Sequence, residues 1–223
     1  MAMKAYIFDL DGTLVDTLSS IAYYANRALE QYGFHAIEKD RYRYLVGNGA
    51  KKLVWRMLRE NGSDRQEDFD RVLPFYNQSY DAAPTYLAAP YPKIPETLQK
   101  LKRQGMKLAV LSNKPHSTTC QIVGALFPKD IFDAVYGQRE GIPLKPDPAA
   151  LLAVMQELGV APEECVYCGD TGTDMQTGKG AGAFTVGVLW GFRGRTELEE
   201  NHADAVIASA EELLGFADIN RKG

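Results

Sequence analysis

The chain has 223 residues with 25 Lys plus Arg and 29 Asp plus Glu, and therefore a formal net charge of −4 at pH 7. Hydrophobic residues make up 45% and charged residues 24%, which is typical of globular proteins and excludes wholesale disorder. The acidic balance argues against a nucleic-acid-binding surface, and no apolar run approaches the roughly 20 residues that span a bilayer. Because the N-terminus lacks the features of a signal peptide, we expect a cytoplasmic protein.

The first part of the chain predicts one buried strand followed by helices. The strand is Tyr6–Phe8, and it runs into the acidic turn Asp9–Thr13. Apolar residues then recur with helical spacing in three stretches, at about residues 18–32, 53–58 and 69–80. Pro74 lies inside the third stretch, where we expect it to kink or split the helix. Residues 17–81 are therefore predicted to be all-helical.

Helices and strands alternate in the second part of the chain. It is preceded by a proline-rich stretch between Pro84 and Pro95, which is predicted to lack regular structure and to connect the two domains. The predicted helices are 95–104, 116–125, 148–158, 175–181 and 210–214, and the predicted strands are 107–111, 134–136, 165–168, 184–188 and 205–207. This alternation indicates right-handed crossovers and a parallel sheet covered on both faces.

The predicted fold class is therefore α/β, with a doubly wound, Rossmann-like parallel sheet interrupted after its first strand. Residues 1–16 and 82–223 form the predicted core, and residues 17–81 form a predicted all-helical insert. Because the insert leaves the core at the carboxyl edge of the sheet, it should cover the edge where open α/β sheets bind ligands.

Cys165 and Cys168 form a C-x-x-C pair inside a predicted buried strand. Side chains three positions apart on a strand point to opposite faces, so the two sulfur atoms should not converge. The sequence therefore predicts reduced core cysteines rather than a redox or zinc site.

Polar residues follow three of the predicted strands. They are Asp9 and Asp11, Ser112 and Asn113, and Asp170 and Asp174. Because the carboxyl ends of parallel strands meet at one edge, these residues should converge, and the loop that carries Lys145 should reach the same edge.

Four carboxylates in one pocket repel each other unless a cation or protons compensate. Oxygen ligands without His or Cys favour Mg²⁺, which binds through one or two carboxylates together with substrate phosphate. A lysine, a hydroxyl group, a side-chain amide and backbone amides would then surround a phosphoryl group. A carboxylate at such a site is a candidate nucleophile that forms an acyl phosphate, and a second carboxylate two residues later could act as acid and base.

Four segments resemble the signature motifs of the haloacid dehalogenase superfamily, in order and across the whole chain. They are Asp9–Asp16, Leu111–Lys114, Lys145–Pro148 and Gly169–Asp174. The dehalogenases themselves lack the second aspartate of the first motif, so the presence of Asp11 points to phosphoryl transfer. The segment Val46–Ala50 in the insert is similar to the phosphoglycolate phosphatase-like branch, whose helical cap the insert would form.

This resemblance implies a role for each matching residue. Asp9 would be the nucleophile and Asp11 the general acid and base. The residues expected to bind substrate are Gly12, Thr13, Ser112, Asn113 and Lys145 in the core, and Gly47 in the insert. Lys51 is a further candidate on its position alone, because it lies next to the glycine turn of the insert and its charge could reach an anionic substrate. Mg²⁺ would be bound by Asp9, Asp170 and the carbonyl of Asp11, with Asp174 supporting either the metal or Lys145.

The expected function is that of a Mg²⁺-dependent phosphatase acting on a small phosphorylated metabolite, with 2-phosphoglycolate as the first candidate. A phosphomutase of the β-phosphoglucomutase type and a pyrophosphatase stay open, as does a non-catalytic phosphate-binding regulatory module. We expect no nucleic-acid or membrane partner, and a monomer or a homodimer.

Overall fold

A computed structural model describes residues 2–217 of the chain. The strands are β1 (Ala5–Phe8), β2 (Val15–Asp16), β3 (Ala89–Pro90), β4 (Lys107–Pro115), β5 (Ala134–Gln138), β6 (Cys165–Gly169), β7 (Phe184–Val188) and β8 (Ala205–Ile207). The α-helices are α1 (Leu18–Gln31), α2 (Tyr42–Leu45), α3 (Ala50–Glu60), α4 (Gln66–Ala82), α5 (Ile94–Arg103), α6 (His116–Leu126), α7 (Ala149–Leu158), α8 (Gly172–Ala181) and α9 (Arg195–Glu200). Short 3₁₀ helices span Lys39–Arg41, Pro162–Glu164 and Ala210–Phe216.

The main sheet has six strands in the order β5-β4-β1-β6-β7-β8, and every neighbouring pair is parallel. In the central strand β1, Ile7 lies opposite Ala109 of β4 and Tyr167 of β6. All four residues of β1 are buried because helices cover both faces of a parallel sheet. The α/β fold predicted from the sequence is confirmed.

The two faces of the sheet carry separate apolar cores. Tyr6 and Phe8 belong to one core cluster, whereas Ala5 and Ile7 belong to the other. Cys168 and Cys165 are divided between the same two clusters, and neither forms a disulfide within the described residues. The period of two along a strand explains this division, and the prediction of reduced core cysteines is confirmed.

Helices α1 to α4 follow β1 and β2, and α1 and α3 both pack against α4. The predicted apolar stripe of α1 is buried, and its residues are Leu18, Ile21, Ala25, Ala28 and Leu29. Of the two expectations for Pro74, a split helix is wrong, because α4 runs unbroken from Gln66 to Ala82. Pro74 and Asp70 are both exposed, so the Asp70 carbonyl that loses its helical partner can bond to water instead. The domain boundaries at 16/17 and 81/82 stay a prediction.

The chain crosses between the sheet and these helices through a second, two-stranded sheet that the sequence analysis did not predict. In this antiparallel pair Val15 of β2 lies opposite Pro90 of β3. The proline-rich stretch therefore contains a short strand, which corrects the expectation of no regular structure there. Pro is tolerated because a strand of two residues at an edge needs few ladder hydrogen bonds.

Several element limits also differ from those predicted. Strand β4 continues through Ser112 and Asn113 to Pro115, with an irregular register against β5 between Leu111 and Pro115. Such irregularities bend a strand and redirect its side chains. The last helix is a 3₁₀ helix rather than an α-helix, and the short helices α2 and α9 were not predicted. Within residues 2–217, the helices all lack the length or the apolar character needed to cross a membrane.

Candidate active site

Three buried acids meet at the carboxyl edge of the main sheet. Asp9 directly follows β1, Asp170 directly follows β6, and Asp174 lies in the first turn of α8. One carboxylate oxygen of each residue lies within 4.8 Å of those of the other two. The parallel sheet thus brings together side chains that are far apart in the sequence.

Lys145 is the cation of this acidic cluster. Its Nζ lies 2.7 Å from Oδ1 of Asp174 and 3.0 Å from Oδ1 of Asp9, and it also donates to the carbonyl of Leu111 at 3.4 Å. Burial by itself would lower the pKa of Lys145, but the charges of Asp174 and Asp9 outweigh burial and raise the pKa well above its ordinary value. The side chain therefore stays an ammonium group with all three hydrogen atoms bonded to the core.

Both carboxylate oxygens of Asp174 are occupied by protein donors. Oδ1 accepts from Lys145 and, at 3.2 Å, from the hydroxyl of Tyr167. Oδ2 accepts from the backbone N–H and the hydroxyl of Thr171, which caps α8. Of the two roles expected for Asp174, this arrangement favours support of Lys145 over direct metal binding.

Asp170 is fully buried, and in the part of the chain that the structure describes it forms no ion pair. Oδ2 accepts from the backbone N–H of Phe192 at 2.7 Å, and Oδ1 accepts from the hydroxyl of Thr13 at 3.2 Å. Burial raises its pKa well above the ordinary value, and the charges of Asp174 and Asp9 add to the increase. An isolated buried carboxylate of this kind requires a proton or a bound cation.

Gly12 allows this close approach. Its φ is +83°, and a Cβ atom at this position would lie 2.3 Å from Oδ2 of Asp170. Glycine is therefore needed both for the left-handed backbone and for the space that the carboxylate fills.

Asp9 lines the cavity and also contacts Lys145. Its Oδ1 accepts from the backbone N–H of Leu10 at 2.7 Å. Burial raises the pKa of Asp9 from 3.8 to about 7, and the charges of Asp174 and Asp11 add to this effect while Lys145 opposes it. Asp9 is thus poised between its protonated and ionised forms at neutral pH.

The residues present fit a hard divalent cation. Asp9 and Asp170 supply oxygen ligands, and burial raises the pKa values of both by disfavouring their charged forms. No His or Cys lies in the acidic group that the structure describes. Mg²⁺ prefers such ligands. The carbonyl of Asp11 as a further ligand stays a prediction.

A second cation, Lys114, lies on the outer side of the site and was not assigned by the sequence analysis. Its Nζ lies 3.1 Å from Oδ1 of Asp11 and 3.0 Å from the hydroxyl of Tyr80 in α4. The hydroxyl of Thr17 donates to the same Asp11 oxygen at 2.7 Å. Burial would lower the pKa of Lys114, but Asp11 and Tyr80 raise it above its ordinary value. Its place in the Leu111–Lys114 motif was the one available signal.

A cavity opens between the acidic cluster and the helices that follow β2. The residues that line it are Asp9, Asp11, Ile21, Val46, Gly47, Gly49, Ala50, Leu53, Tyr76, Asn77, Tyr80, Asp81, Ser112, Asn113, Lys114, Pro115, Thr118, Thr171 and Phe192. Tyr76, Asn77 and Tyr80 of α4 were not predicted to be there, because helical spacing marks Tyr76 and Tyr80 only as apolar-face residues.

The cavity includes some of the predicted substrate-binding residues and leaves out others. Ser112, Asn113 and Gly47 line it. Asn113 also accepts from the backbone N–H of Lys145 at 2.9 Å, and so holds the Lys145 loop in place. Lys51 is exposed and does not belong to the cavity lining that the structure describes.

Gly12 and Thr13, which were also predicted to bind substrate, are not among the described residues that line the cavity and lie against Asp170 instead.

The chain resembles known proteins over almost its full length. The haloacid dehalogenase-like hydrolase family matches residues 6–188. The chain is 32% identical to a phosphoglycolate phosphatase of Aquifex aeolicus, covering 97% of each chain. It is 34% identical to a phosphoglycolate phosphatase of Pseudomonas putida, covering 96% of this chain and 80% of that protein.

The fold also matches solved structures. A crystal structure of a protein provisionally named a phosphoglycolate phosphatase, from Lactobacillus delbrueckii subsp. bulgaricus, superposes with a TM-score of 0.91. That protein is 31% identical, and the match covers 96% of this chain and 97% of the other.

A parallel α/β sheet with clustered aspartates and a buried lysine at its carboxyl edge defines an enzyme of the phosphoric monoester hydrolase class, a phosphatase. The chain belongs to the haloacid dehalogenase-like hydrolase family.

Proposed function

We propose that this phosphatase uses Mg²⁺ to hydrolyse 2-phosphoglycolate through an aspartyl phosphate formed on Asp9. The observation that carries the proposal is the position of Asp9, which lines the cavity while Lys145 contacts it and Asp170 and Asp174 lie close by. A carboxylate in that position can attack a phosphorus atom that approaches from the cavity.

The residues around Asp9 suit the two steps of the reaction. In the first step a carboxylate oxygen of Asp9 bonds to phosphorus, the ester bond breaks, and Asp11 protonates the leaving oxygen. In the second step Asp11 takes a proton from water, whose oxygen attacks phosphorus and releases Asp9 and inorganic phosphate. Both residues line the cavity, and Thr17 and Lys114 hold the side chain of Asp11 in place.

Ser112 is suited to bind the phosphoryl group, and Lys145 is suited to stabilise the charge of that group from its position beside Asp9. Lys145 brings positive charge to Asp9, so the developing phosphate charge would be stabilised. The Oγ of Ser112 accepts from the backbone N–H of Lys114 at 3.2 Å, which leaves its hydroxyl hydrogen to donate to a phosphoryl oxygen. Mg²⁺ bound by Asp9, Asp170 and the Asp11 carbonyl would neutralise further phosphate charge.

The choice of substrate is supported by the relatives named as phosphoglycolate phosphatases, which are 32% and 34% identical to this chain. To test it, purified protein with Mg²⁺ would be assayed against 2-phosphoglycolate, pyrophosphate, a nucleoside monophosphate and β-glucose 1-phosphate. We expect phosphate release to be fastest from 2-phosphoglycolate. Isomerised sugar phosphate without phosphate release would instead identify a mutase, and inactivity on the whole panel would support a regulatory module.

The dependence on Mg²⁺ has its own test. Chelation should stop phosphate release and added Mg²⁺ should restore it, whereas Ca²⁺ should substitute poorly because its coordination shell is larger and looser. Full activity in the presence of a chelator would contradict the metal assignment.

A cytoplasmic location and a monomeric or homodimeric state stay predictions.

The nucleophile is tested by Asp9→Asn. The amide cannot form the acyl phosphate, so we expect kcat to fall by about 10⁴-fold or more while the circular dichroism spectrum is unchanged. Asp64→Asn, which changes an exposed aspartate paired with Arg59, is the matched control. Hydrolysis retained by the folded Asp9→Asn protein would dismiss the assignment.

A further inference from the structure

Lys114 is the cation that the cavity presents to a ligand. Among the described residues that line the cavity, it carries the only Lys or Arg side chain. Lys145, by comparison, reaches Asp9 but does not line the cavity. A second negative group on the substrate would therefore meet Lys114.

The ammonium group of Lys114 has hydrogen-bonding capacity left. Within residues 2–217 its hydrogen-bond partners are Oδ1 of Asp11 at 3.1 Å and the hydroxyl of Tyr80 at 3.0 Å, and Nζ also lies 4.3 Å from the centroid of the Tyr80 ring. An ammonium group has three donors, so one remains for a ligand. Its side chain is only 8% exposed, so the position of Nζ is fixed by its partners rather than by solvent.

The position of Nζ suits a short substrate. Asp11 is the residue expected to protonate the ester oxygen, and Nζ contacts the carboxylate of this same residue. A carboxylate joined to the ester oxygen through one carbon atom would therefore lie beside Lys114. A longer substrate would carry its distal charge past this point.

The other polar side chains of the described cavity lining are neutral or acidic, so they cannot form an ion pair with a carboxylate. Ile21, Val46, Leu53 and Phe192 line it with apolar surface. In a low-dielectric environment a charge pair is stronger than in water, and an unpaired charge is more costly. A neutral group in place of the carboxylate would leave the spare donor of Lys114 unpaired.

We propose that Lys114 binds the substrate carboxylate and makes the site selective for short phosphorylated carboxylic acids. This inference rests on the proposed phosphatase function. Tyr80 positions Lys114 from the side of α4, while Asp11 holds it from the core.

The test compares two substrates that differ only at the distal group. These are 2-phosphoglycolate, which ends in a carboxylate, and 2-hydroxyethyl phosphate, which ends in a neutral hydroxyl. The measured quantity is the ratio of their kcat/KM values, determined for the wild type and for Lys114→Met, Lys114→Gln, Lys51→Met and Lys100→Met. Lys100→Met removes the same charge from an exposed position on α5 and is the matched control.

Both Lys114 variants should lose activity on both substrates, because Asp11 loses a partner. We expect the loss on 2-phosphoglycolate to exceed that on 2-hydroxyethyl phosphate by about 10-fold to 100-fold, the range for a hydrogen bond to a charged group. Lys114→Gln keeps the polar character of the site, and so guards against a folding defect in Lys114→Met. Lys100→Met should leave the ratio within about twofold of the wild type.

Equal losses on the two substrates would overturn the proposal, because Lys114 would then act only through Asp11. Loss of selectivity in Lys51→Met but not in Lys114→Met would also overturn it. A wild-type enzyme that prefers 2-hydroxyethyl phosphate would contradict the inference and leave the phosphatase function standing. Failure to hydrolyse either ester would count against the proposed function itself.

Discussion

The two lysines of the site, Lys145 and Lys114, both pair with aspartates but lie in different surroundings. Lys145 is enclosed by the core, and Asp9, Asp174 and Leu111 accept all three of its hydrogen bonds. Lys114 joins the core to the helices that follow β2, because it contacts Asp11 on one side and Tyr80 on the other.

Under the proposed mechanism, this difference would separate the chemical step from substrate selectivity. The Lys145 cluster is built from strand ends, a loop and the first turn of α8, so it is complete without the helices α1 to α4. The Lys114 cluster depends on α4 for one of its two partners. Changes at Lys145 should therefore affect every substrate, whereas changes around Lys114 should depend on which substrate is used.

In this comparison of the two lysines, the largest expected effect is that of Lys145→Met. Without this cation Asp9 and Asp174 are left buried and uncompensated, so we expect the metal-free protein to lose about 3–5 kcal/mol of unfolding free energy at pH 7.5. Activity should fall by about 10³-fold or more on every substrate. Urea unfolding and steady-state kinetics measure these two quantities.

The control for that variant is Lys102→Met. Lys102 pairs with Asp133 at 2.5 Å, but both side chains are about one-third exposed, so the loss should stay within about 1 kcal/mol. If the two variants lost the same stability, Lys145 would not hold the acidic cluster together.

A smaller effect is expected from pH and Mg²⁺ acting on Asp9. Because the pKa of Asp9 rises from 3.8 to about 7 on folding, the folded protein binds this proton more tightly than the unfolded chain does. The resulting stabilisation is present below about pH 4 and is lost as the pH rises through about 7. Asp170, whose pKa is also raised, contributes in the same direction.

Mg²⁺ should replace these protons, so it should raise the melting temperature more at pH 8 than at pH 5. At 100 times its Kd it should contribute about 2.7 kcal/mol. Thermal melts with and without Mg²⁺ at the two pH values test this, and Asp170→Asn should abolish most of the difference. An Mg²⁺ effect that is independent of pH would contradict the role of the raised pKa values.

The smallest effect should come from Tyr80→Phe, which removes one acceptor from Lys114 and keeps the aromatic ring. We expect kcat/KM for 2-phosphoglycolate to fall by about threefold to tenfold, the range for one hydrogen bond. Tyr24→Phe is the control, because the Tyr24 hydroxyl donates to the carbonyl of Ala83 instead. Similar losses in both variants would mean that the hydroxyl of Tyr80 has no specific role at Lys114.

Local pattern predicted most of the core. Strand β7 and strand β8 have the predicted limits, and β1, β6 and α7 differ from prediction by one residue at one end. These elements are strongly periodic or continuously apolar, so their secondary structure can be predicted from neighbouring residues. The β2–β3 pair was missed because each strand has two residues and is formed by contact with a segment far away in the chain.

For the candidate site, the sequence predicted which acids lie close together but not which groups each acid bonds to. Asp9, Asp170 and Asp174 share one cluster, as strand-end positions in a parallel sheet imply. Both carboxylate oxygens of Asp174 accept hydrogen bonds from Lys145, Tyr167 and Thr171. These bonds depend on distances that the sequence motif does not contain. The exposure of Lys51 likewise follows from the orientation of α3.

The order of apolar runs, glycine turns and acidic strand ends was therefore sufficient to determine the α/β sheet and the edge at which its chemistry lies. These features are local, or follow from the rule that parallel strands end together. Only the tertiary structure decided that Lys114 faces the cavity and meets Tyr80. That contact depends on where α4 lies relative to the end of β4, which is set by the shapes of many side chains at once and by no short segment of the chain.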